Sequence, residues 1–576
     1  MAEEEEQSDQ FNGRMGLIFA SIGAAIGTGN IWRFPRMVGA NGGGTFLVPW
    51  LFFLFIWSIP LVIAEYAMGK RSRTGTIGTF RIFAGKKFAW MGLWTAWIST
   101  AIGFYYAVVS GWTVKYFQLG ITGALNGEDV DTTEVWNAFI QNPGQVIFFQ
   151  FLVIVLTLAA IWKGAKAIEK VNFYLMISLF ALLFLTLFLS LWMDFSDGTL
   201  DGALFMFTVD FDMLFEPEVW INGLSQSAWS CSAGMGMCIT YAVYMSKDED
   251  TVLNAFTMGL ANNSISIIAG LAVLSAIFAV NPDPLATVTG GSSAITFLAL
   301  PEVFALAPFA PIGPLFMMAG FFLALSFAAM TSMISTVELC VRNFVDHGYQ
   351  RGKAVLLTGV ALFMFGLPSA IMWVKLDSNG VAFPEFLEVQ DHIWGYGLMF
   401  SGLFIAFSIW KYGYYRWKSS VEAGFAAPGF KGYLGVGVSA FRDDFINTGD
   451  NDMHVGRWWD LLMYLAFPIL FAVLMFSYFT DMIANTENVW DPSNPHGLSI
   501  ILLFWGVVAT LFILFNKYLV RRPLYRNIPK GADVDISMLP GGDDDLVVAL
   551  GEIAPGFEHL SKKSPPAQIT LDAELV

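Results

Sequence analysis

Cysteine, histidine and charge are all scarce in this chain. Its three cysteines, Cys231, Cys238 and Cys340, make neither a disulfide framework nor a CxxC pair. Its five dispersed histidines supply no HExxH. Metal and redox chemistry therefore lack their usual residues, and no nucleophile stands with a base in a recognisable pattern, so the chain is not expected to be an enzyme. Charged residues make up only 14%, and their balance of -16 excludes nucleic acid, whose phosphates need a basic surface. The opening MAEEEEQSDQ has no positive n-region of a cleaved signal peptide, so the amino terminus is expected to be retained.

What the chain has in abundance is apolar surface, 56% of 576 residues with 16% aromatics. Covering roughly 30 Å of hydrocarbon takes about twenty apolar residues of helix. About twelve stretches meet that requirement. They fall at 14–38, 45–69, 88–119, 144–162, 169–193, 219–245, 252–280, 314–345, 354–374, 391–416, 457–482 and 497–519. The expected fold is an all-α membrane protein of twelve transmembrane helices, with lipid around it and its oligomeric state open.

Basic residues orient the spans. Lys70, Arg71, Arg73, Arg81, Lys86 and Lys87, then Lys163, Lys166 and Lys170, then Arg342, Arg351 and Lys353 fall in alternate loops. The opposite loops, 120–143, 194–218 and 282–313, hold no Lys or Arg. The positive-inside rule then puts the basic loops and both termini in the cytoplasm of a cell membrane. Residues 1–13 read as a cytoplasmic segment, 417–456 as a polar cytoplasmic loop with short amphipathic pieces, and 520–576 as an acidic tail of disordered composition.

Two spans are dense in glycine and polar residues: GAAIGTGN from Gly23 to Asn30, and QSAWSCSAGMG from Gln226 to Gly236. Small residues such as Gly23 and Gly27 can serve helix packing alone. Packing does not explain Asn30, Arg33, Ser230 and Ser232 placed in or beside hydrocarbon at a cost. Unwinding at the midplane frees carbonyls for a cation and N–H groups for an anion, so two broken helices five spans apart point to a coupled-transport site. Glu65, inside IPLVIAEYAMG, needs hydrogen-bond donors that unwound backbone would supply.

These segments, with NGGGTFLVPW, FYYAVVSGW, ITYAVYMSKDED and FAAMTSM, closely resemble the neurotransmitter:sodium symporter family across about residues 11–416. The resemblance implies a 5+5 inverted repeat with helices 1 and 6 broken, the first repeat in 14–193 and the second in 219–416, followed by two further helices in 457–519. It implies sodium-coupled symport of an amino acid by alternating access. Residue by residue, a first sodium falls to the Ala25 carbonyl, Asn30, Ser230 and Asn262. A second falls to carbonyls of Gly23, Ile26 and Ala328 and the hydroxyls of Thr331 and Ser332.

For the substrate, the family pattern puts a carboxylate near the N–H groups of Thr28 and Gly29 and the Tyr106 hydroxyl. The ammonium falls to carbonyls around Ala25, Trp229 and Ser230, with Ser232 assisting. Gly27 stands where monoamine carriers have aspartate, which favours an amino acid. Ile102, Tyr106, Trp229, Met235 and Thr336 would line a mostly apolar side-chain pocket, so a neutral, hydrophobic or aromatic amino acid is expected. An osmolyte carrier, or a substrate-sensing receptor on the same fold, are the alternatives.

Arg33 and Asp391 match the family's outer ion-pair gate, and Asp346 matches the acid of the inner one. The family's inner arginine falls on Ser8, and Glu338 replaces a neighbouring gate glutamine, which leaves Arg14 as a substitute or a weak inner closure. For chloride, Gln226, Ser230, Asn262 and Ser266 form a ring of donors, so chloride stimulation is expected. Trp50 departs from the family's tyrosine there, and Ser266 bonding its own helix is the competing reading. Residues near 282–311 are expected to form a helical hairpin over the outer vestibule.

Overall fold

The computed structural model describes residues 11, 14–125, 130–246, 249–281, 283–289, 295–307, 309, 312–377, 380–448 and 452–521. Ser8 and the acidic tail beyond 521 lie outside the described residues, as do most of RRPLYR. Among those described, ten helices are long and apolar enough to cross a bilayer.

The first span is a bent pair, α1 (Arg14–Ala25) and α2 (Gly29–Ala40), meeting at 54°. Helices follow as α3 (Gly44–Ser72), then the short α4 (Thr76–Ala84), α5 (Lys86–Ile121), the short α6 (Thr132–Ile140), α7 (Pro143–Ile161) and α8 (Ala165–Asp194). After the short α9 (Asp201–Phe207) come α10 (Pro217–Ser230) and α11 (Met237–Ala242). The sixth stretch, 219–245, is thus two short helices with a break between them.

Next come α12 (Thr251–Val280), the small helices α13 (Pro284–Thr289) and α14 (Ile295–Ala305), α15 (Ile312–Asp346) and α16 (Arg351–Ile371). A two-stranded antiparallel ribbon pairs β1 (Val374–Leu376) with β2 (Ala382–Pro384). Then α17 (Glu385–Glu422), α18 (430–446), α19 (Arg457–Asn485) and α20 (Leu498–Val520) complete the described chain.

Helix starts follow from local chemistry. Asp250 accepts from the N–H groups of Val252 and Leu253 at the head of α12, and Asn142 accepts from Gln145 N–H with Pro143 as the first helical residue of α7. The break between α10 and α11 needs left-handed backbone at Ser232, Gly234 and Gly236, with φ of 51°, 90° and 80°. Glycine accepts that geometry without a Cβ penalty.

Two expectations change here. α17 runs well past 391–416, because the charged and polar residues at its ends (Glu385, Glu388, Lys411, Arg416, Lys418, Glu422) break the apolar run without breaking the helix. Residues 417–456 are not merely a polar loop: α18 folds back on α17, and its buried Phe441 contacts the rings of Phe83, Tyr412 and Trp459.

α15 packs along α5, and α8 lies against α12 and α15. The basic loops gather at one end, where Arg351 donates to Ile161 O and Gly75 N–H to Asp346. This end is called the basic side below. At the opposite end, Thr132 donates to Glu302 and Trp136 to Ala382 O, while Val288 of α13 sits where a Cβ on Gly39 would fall. The α13–α14 hairpin therefore lies against the end of the first span.

Candidate functional site

Both helix breaks open onto one cavity of about 350 Å³. It is lined by all eleven residues expected around a substrate: Ala25, Gly27, Thr28, Gly29, Ile102, Tyr106, Trp229, Ser230, Ser232, Met235 and Thr336. Its polar end is built by unwound backbone. Thr28 N–H donates to the Tyr106 hydroxyl at 3.0 Å, and Ser232 Oγ donates to Ala24 O at 3.2 Å. A Cβ on Gly27 would meet Ser332 Oγ at 2.7 Å and Tyr106 OH at 3.0 Å, so this position is closed to any side chain as it stands.

The acid in the third helix does what unwound backbone requires. Glu65 is fully buried, and its two oxygens accept from Gly234 N–H at 2.5 Å and Gly236 N–H at 3.1 Å. These donors belong to the break between α10 and α11 and have no helical acceptor, so one carboxylate completes the segment's backbone bonding.

The residues expected at a first sodium converge. Asn30 Nδ2 donates to Asn262 Oδ1 at 2.8 Å and Ser230 Oγ at 3.2 Å, while Asn30 Oδ1 accepts from Gly27 N–H at 2.9 Å. Asn262 Oδ1 stands 3.1 Å from Ser230 O and 3.3 Å from Ala25 O. Oxygens so placed repel unless a cation sits among them; turning the Asn262 amide instead puts an N–H on both carbonyls. Ala25 O, Ser230 and Asn262 Oδ1 are neutral oxygens that fit a hard monovalent cation, while Asn30 turns its Nδ2 towards them and its Oδ1 to Gly27 N–H.

The residues expected at a second sodium also meet. Thr331 Oγ1 lies 3.3 Å from Ile26 O and 3.0 Å from Ala328 O, and Ser332 Oγ lies 3.1 Å from Ile26 O. Gly23 packs on Thr331, whose Cβ is 3.3 Å from where a glycine-23 Cβ would stand. Bonding back to its own helix at Ala328 does not keep Thr331 from reaching the first span.

The chloride candidates are mixed. Ser266 Oγ accepts from Asn30 at 2.8 Å and also donates to Asn262 O of its own helix at 3.2 Å, so the backbone-bonded reading of Ser266 holds in part. Two buried polar atoms of the chloride candidates and their neighbours have no hydrogen-bond partner, Trp50 Nε1, a donor, and Gln226 Oε1, an acceptor that does not suit an anion. Trp50 packs its backbone N 3.0 Å from a Cβ position on Gly223, one turn before Gln226. An orphaned indole N–H fits an anion.

Outside the substrate residues, the same cavity reaches Arg33, Arg36, Asp391, His392, Leu387 and Tyr396. Arg33 and Asp391 are not paired within 4.0 Å among the described residues. Arg33 donates instead to Ser225 Oγ at 3.3 Å and lies 5.8 Å over the Trp229 ring, while Asp391 accepts from Tyr105 OH at 2.6 Å. Tyr105, the partner of Asp391, had no motif to mark it beyond its place in FYYAVVSGW.

At the basic side the expectation that Arg14 replaces the missing partner of Asp346 is corrected. Its partner is Arg342, at 2.8 Å and one helical turn away, with both side chains buried. Arg14 is engaged elsewhere, with Glu249 at 3.6 Å and Asp452 at 3.4 Å. Glu338, fully buried, pairs with Arg351 at 2.5 Å and accepts from Tyr244 OH. Arg73, in the turn after α3, donates to the carbonyls of Val243 and Met245, and burial pushes its pKa down to about 10.

A family model described as the sodium:neurotransmitter symporter family matches residues 8–142 and 139–434. The chain belongs to this family. It is a sodium-dependent transporter, and the family is one of transporters, not enzymes. A sodium-dependent transporter of Bacillus subtilis, YhdH, is 30% identical over 71% of this chain and 89% of its own length. The sodium-dependent neutral amino acid transporter SLC6A17 of mouse is 29% identical over 48% of this chain and 42% of its own length. Among solved structures, that of MhsT in complex with L-phenylalanine is similar, with a TM-score of 0.66, 28% identity, and 81% of this chain and 99% of that chain covered. In this symporter, then, the helix breaks and the convergent oxygens lie where the family's motifs lie in sequence.

Proposed function

We propose that this symporter imports a neutral amino acid with a hydrophobic or aromatic side chain, driven by two sodium ions and stimulated by chloride. The observation that carries the reading is one cavity whose polar end is unwound backbone and whose wall includes Ile102, Val109, Trp229, Met235 and Thr336, with Arg33, Arg36 and Asp391 also lining it. A zwitterion's carboxylate meets the Tyr106 hydroxyl and the N–H groups at the start of α2, where the helix dipole favours an anion. On this reading its side chain lies against the aromatic and aliphatic groups of Ile102, Val109, Trp229 and Met235.

The substrate carboxylate completes the shell of the first sodium, beside Ala25, Asn30, Ser230 and Asn262, and this shared ligand couples the two. The second sodium sits between the first span and α15 at Gly23, Ile26, Ala328, Thr331 and Ser332. Each ion moving down an inward-negative potential supplies about 2.3 kcal/mol per 100 mV. The anion site comprises Gln226, Ser230, Asn262 and Ser266, with Trp50 as its added donor. The α10–α11 pair is the sixth crossing and brings the total to twelve, the first ten crossings form the inverted repeat, and the basic side is cytoplasmic in the cell membrane. On this reading the structure stands open outward, with Arg33 and Asp391 as the outer gate.

The bound phenylalanine of MhsT and the neutral amino acid substrates named for SLC6A17 support the substrate class. A competition panel tests it. Leucine, methionine, phenylalanine or tyrosine should displace a labelled substrate better than lysine or glutamate; the reverse order would sink the proposal.

A further inference from the structure

The two halves of the proposed outer gate are each engaged by a different helix. Asp391, in the second turn of α17, accepts from the Tyr105 hydroxyl of α5 at 2.6 Å. Arg33 donates to Ser225 Oγ at 3.3 Å and lies 5.8 Å from the centroid of the Trp229 ring, both on α10. The indole reaches on to α17: a Cβ on Gly395 would stand 2.9 Å from Trp229 Cζ2 and 3.4 Å from Asp391 Oδ1. Arg33 thus lies over an indole whose edge rests on the α17 backbone one turn past Asp391.

Tyr105 and Tyr106 put two consecutive hydroxyls of α5 to different uses. Tyr106 accepts from Thr28 N–H at the polar end of the cavity, while Tyr105, 6% exposed, holds the gate carboxylate. A guanidinium pairs best with a carboxylate through two parallel hydrogen bonds, one to each oxygen. With Oδ1 held by Tyr105, a two-point pair with Arg33 needs that bond to yield.

We propose that Tyr105 is a positioning residue of the outer gate, whose hydroxyl holds Asp391 away from Arg33 and favours the open cavity. Ser225 does the same for Arg33. Closing exchanges these two hydrogen bonds for the ion pair, so the gate is poised between two sets of partners. The inference rests on the reading that this end of the cavity is the outer gate of a transporter standing open outward.

Thiol labelling tests it. Ile102 lines the cavity three residues nearer the basic side than Tyr105 on the same helix, about 4.5 Å deeper. The rate at which a membrane-impermeant thiol reagent, applied opposite the basic side in sodium without amino acid, modifies Ile102→Cys reports the open gate. The chain retaining Ile102 supplies the background of the native cysteines. Tyr105→Phe removes the hydroxyl and keeps the ring; it should slow labelling about tenfold, the effect of one hydrogen bond to a charged group. In an Asp391→Ala background Tyr105→Phe should change nothing, because the hydroxyl has lost its acceptor.

A loosened helix contact would speed labelling, not slow it. Unchanged or faster labelling in Tyr105→Phe, or slowing that persists with Asp391→Ala, would overturn the inference. If Tyr105→Phe does not fold, Ser225→Ala decides: it should slow labelling by freeing Arg33, and lose that effect when Arg33→Met is added. Failure of the reagent to modify Ile102→Cys in an otherwise unaltered chain would instead overturn the outward-open reading on which the inference stands.

Discussion

Replacing Gly27 with alanine puts a Cβ 2.7 Å from Ser332 Oγ, too short to persist, and 3.0 Å from the Tyr106 hydroxyl, tight enough to push it back slightly. The two hydroxyls must retreat. Tyr106 then loses its 3.0 Å bond from Thr28 N–H and its place at the proposed carboxylate site, while Ser332 draws away from Ile26 O, now 3.1 Å distant. A hydrogen bond to a charged group contributes about 1.5–3 kcal/mol, which is roughly a tenfold to hundredfold loss of substrate affinity. Because Ser332 belongs to the proposed second sodium site, the sodium concentration needed for half-maximal binding should rise as well. Equilibrium binding of labelled phenylalanine across a sodium titration measures both. Binding within twofold of the unaltered chain at every sodium concentration would refute the assignment of Gly27, Tyr106 and Ser332 to one site.

The remaining expectations concern the unwound segment and the anion. Glu65→Gln turns a carboxylate that accepts from Gly234 and Gly236 into an amide with one acceptor, at a cost of about 1.5–3 kcal/mol; a lower unfolding temperature with weaker sodium-dependent binding is expected, and an unchanged melt would contradict it. Replacing chloride with gluconate should slow uptake, and Trp50→Phe, which removes the orphaned indole N–H, should abolish that chloride effect while leaving sodium dependence. Equal chloride stimulation in Trp50→Phe would remove the indole from the anion site.

Much of this architecture is legible in the sequence because bilayers impose length and polarity rules. The bent first span and the split sixth announce themselves through glycine and polar residues where lipid demands apolar helix, and Glu65 is explicable before its donors are seen. The eleven substrate-site residues share one cavity because their motifs sit at the two breaks and on the helices facing them. The partner of Asp346 was not legible in the same way. Arg342 is an ordinary i,i+4 neighbour, and only tertiary burial distinguishes it from a surface pair. The state of the outer gate is equally invisible in sequence, since Arg33 and Asp391 can be paired in one conformation and engaged by Ser225 and Tyr105 in another. α18 was legible only as short amphipathic pieces, because it is short and glycine-interrupted and the burial of Phe441 by its neighbours is a tertiary effect.

The most direct test of the account is uptake into proteoliposomes of a pooled, labelled neutral amino acid mixture under an inward sodium gradient, compared with equimolar potassium and with Asn30→Ala. Asn30 holds Asn262 and Ser230 together at the proposed first sodium site. Accumulation above equilibrium that needs both sodium and Asn30 is the predicted result. Sodium-dependent binding without accumulation, or accumulation that persists undiminished in Asn30→Ala, would contradict coupling through this site.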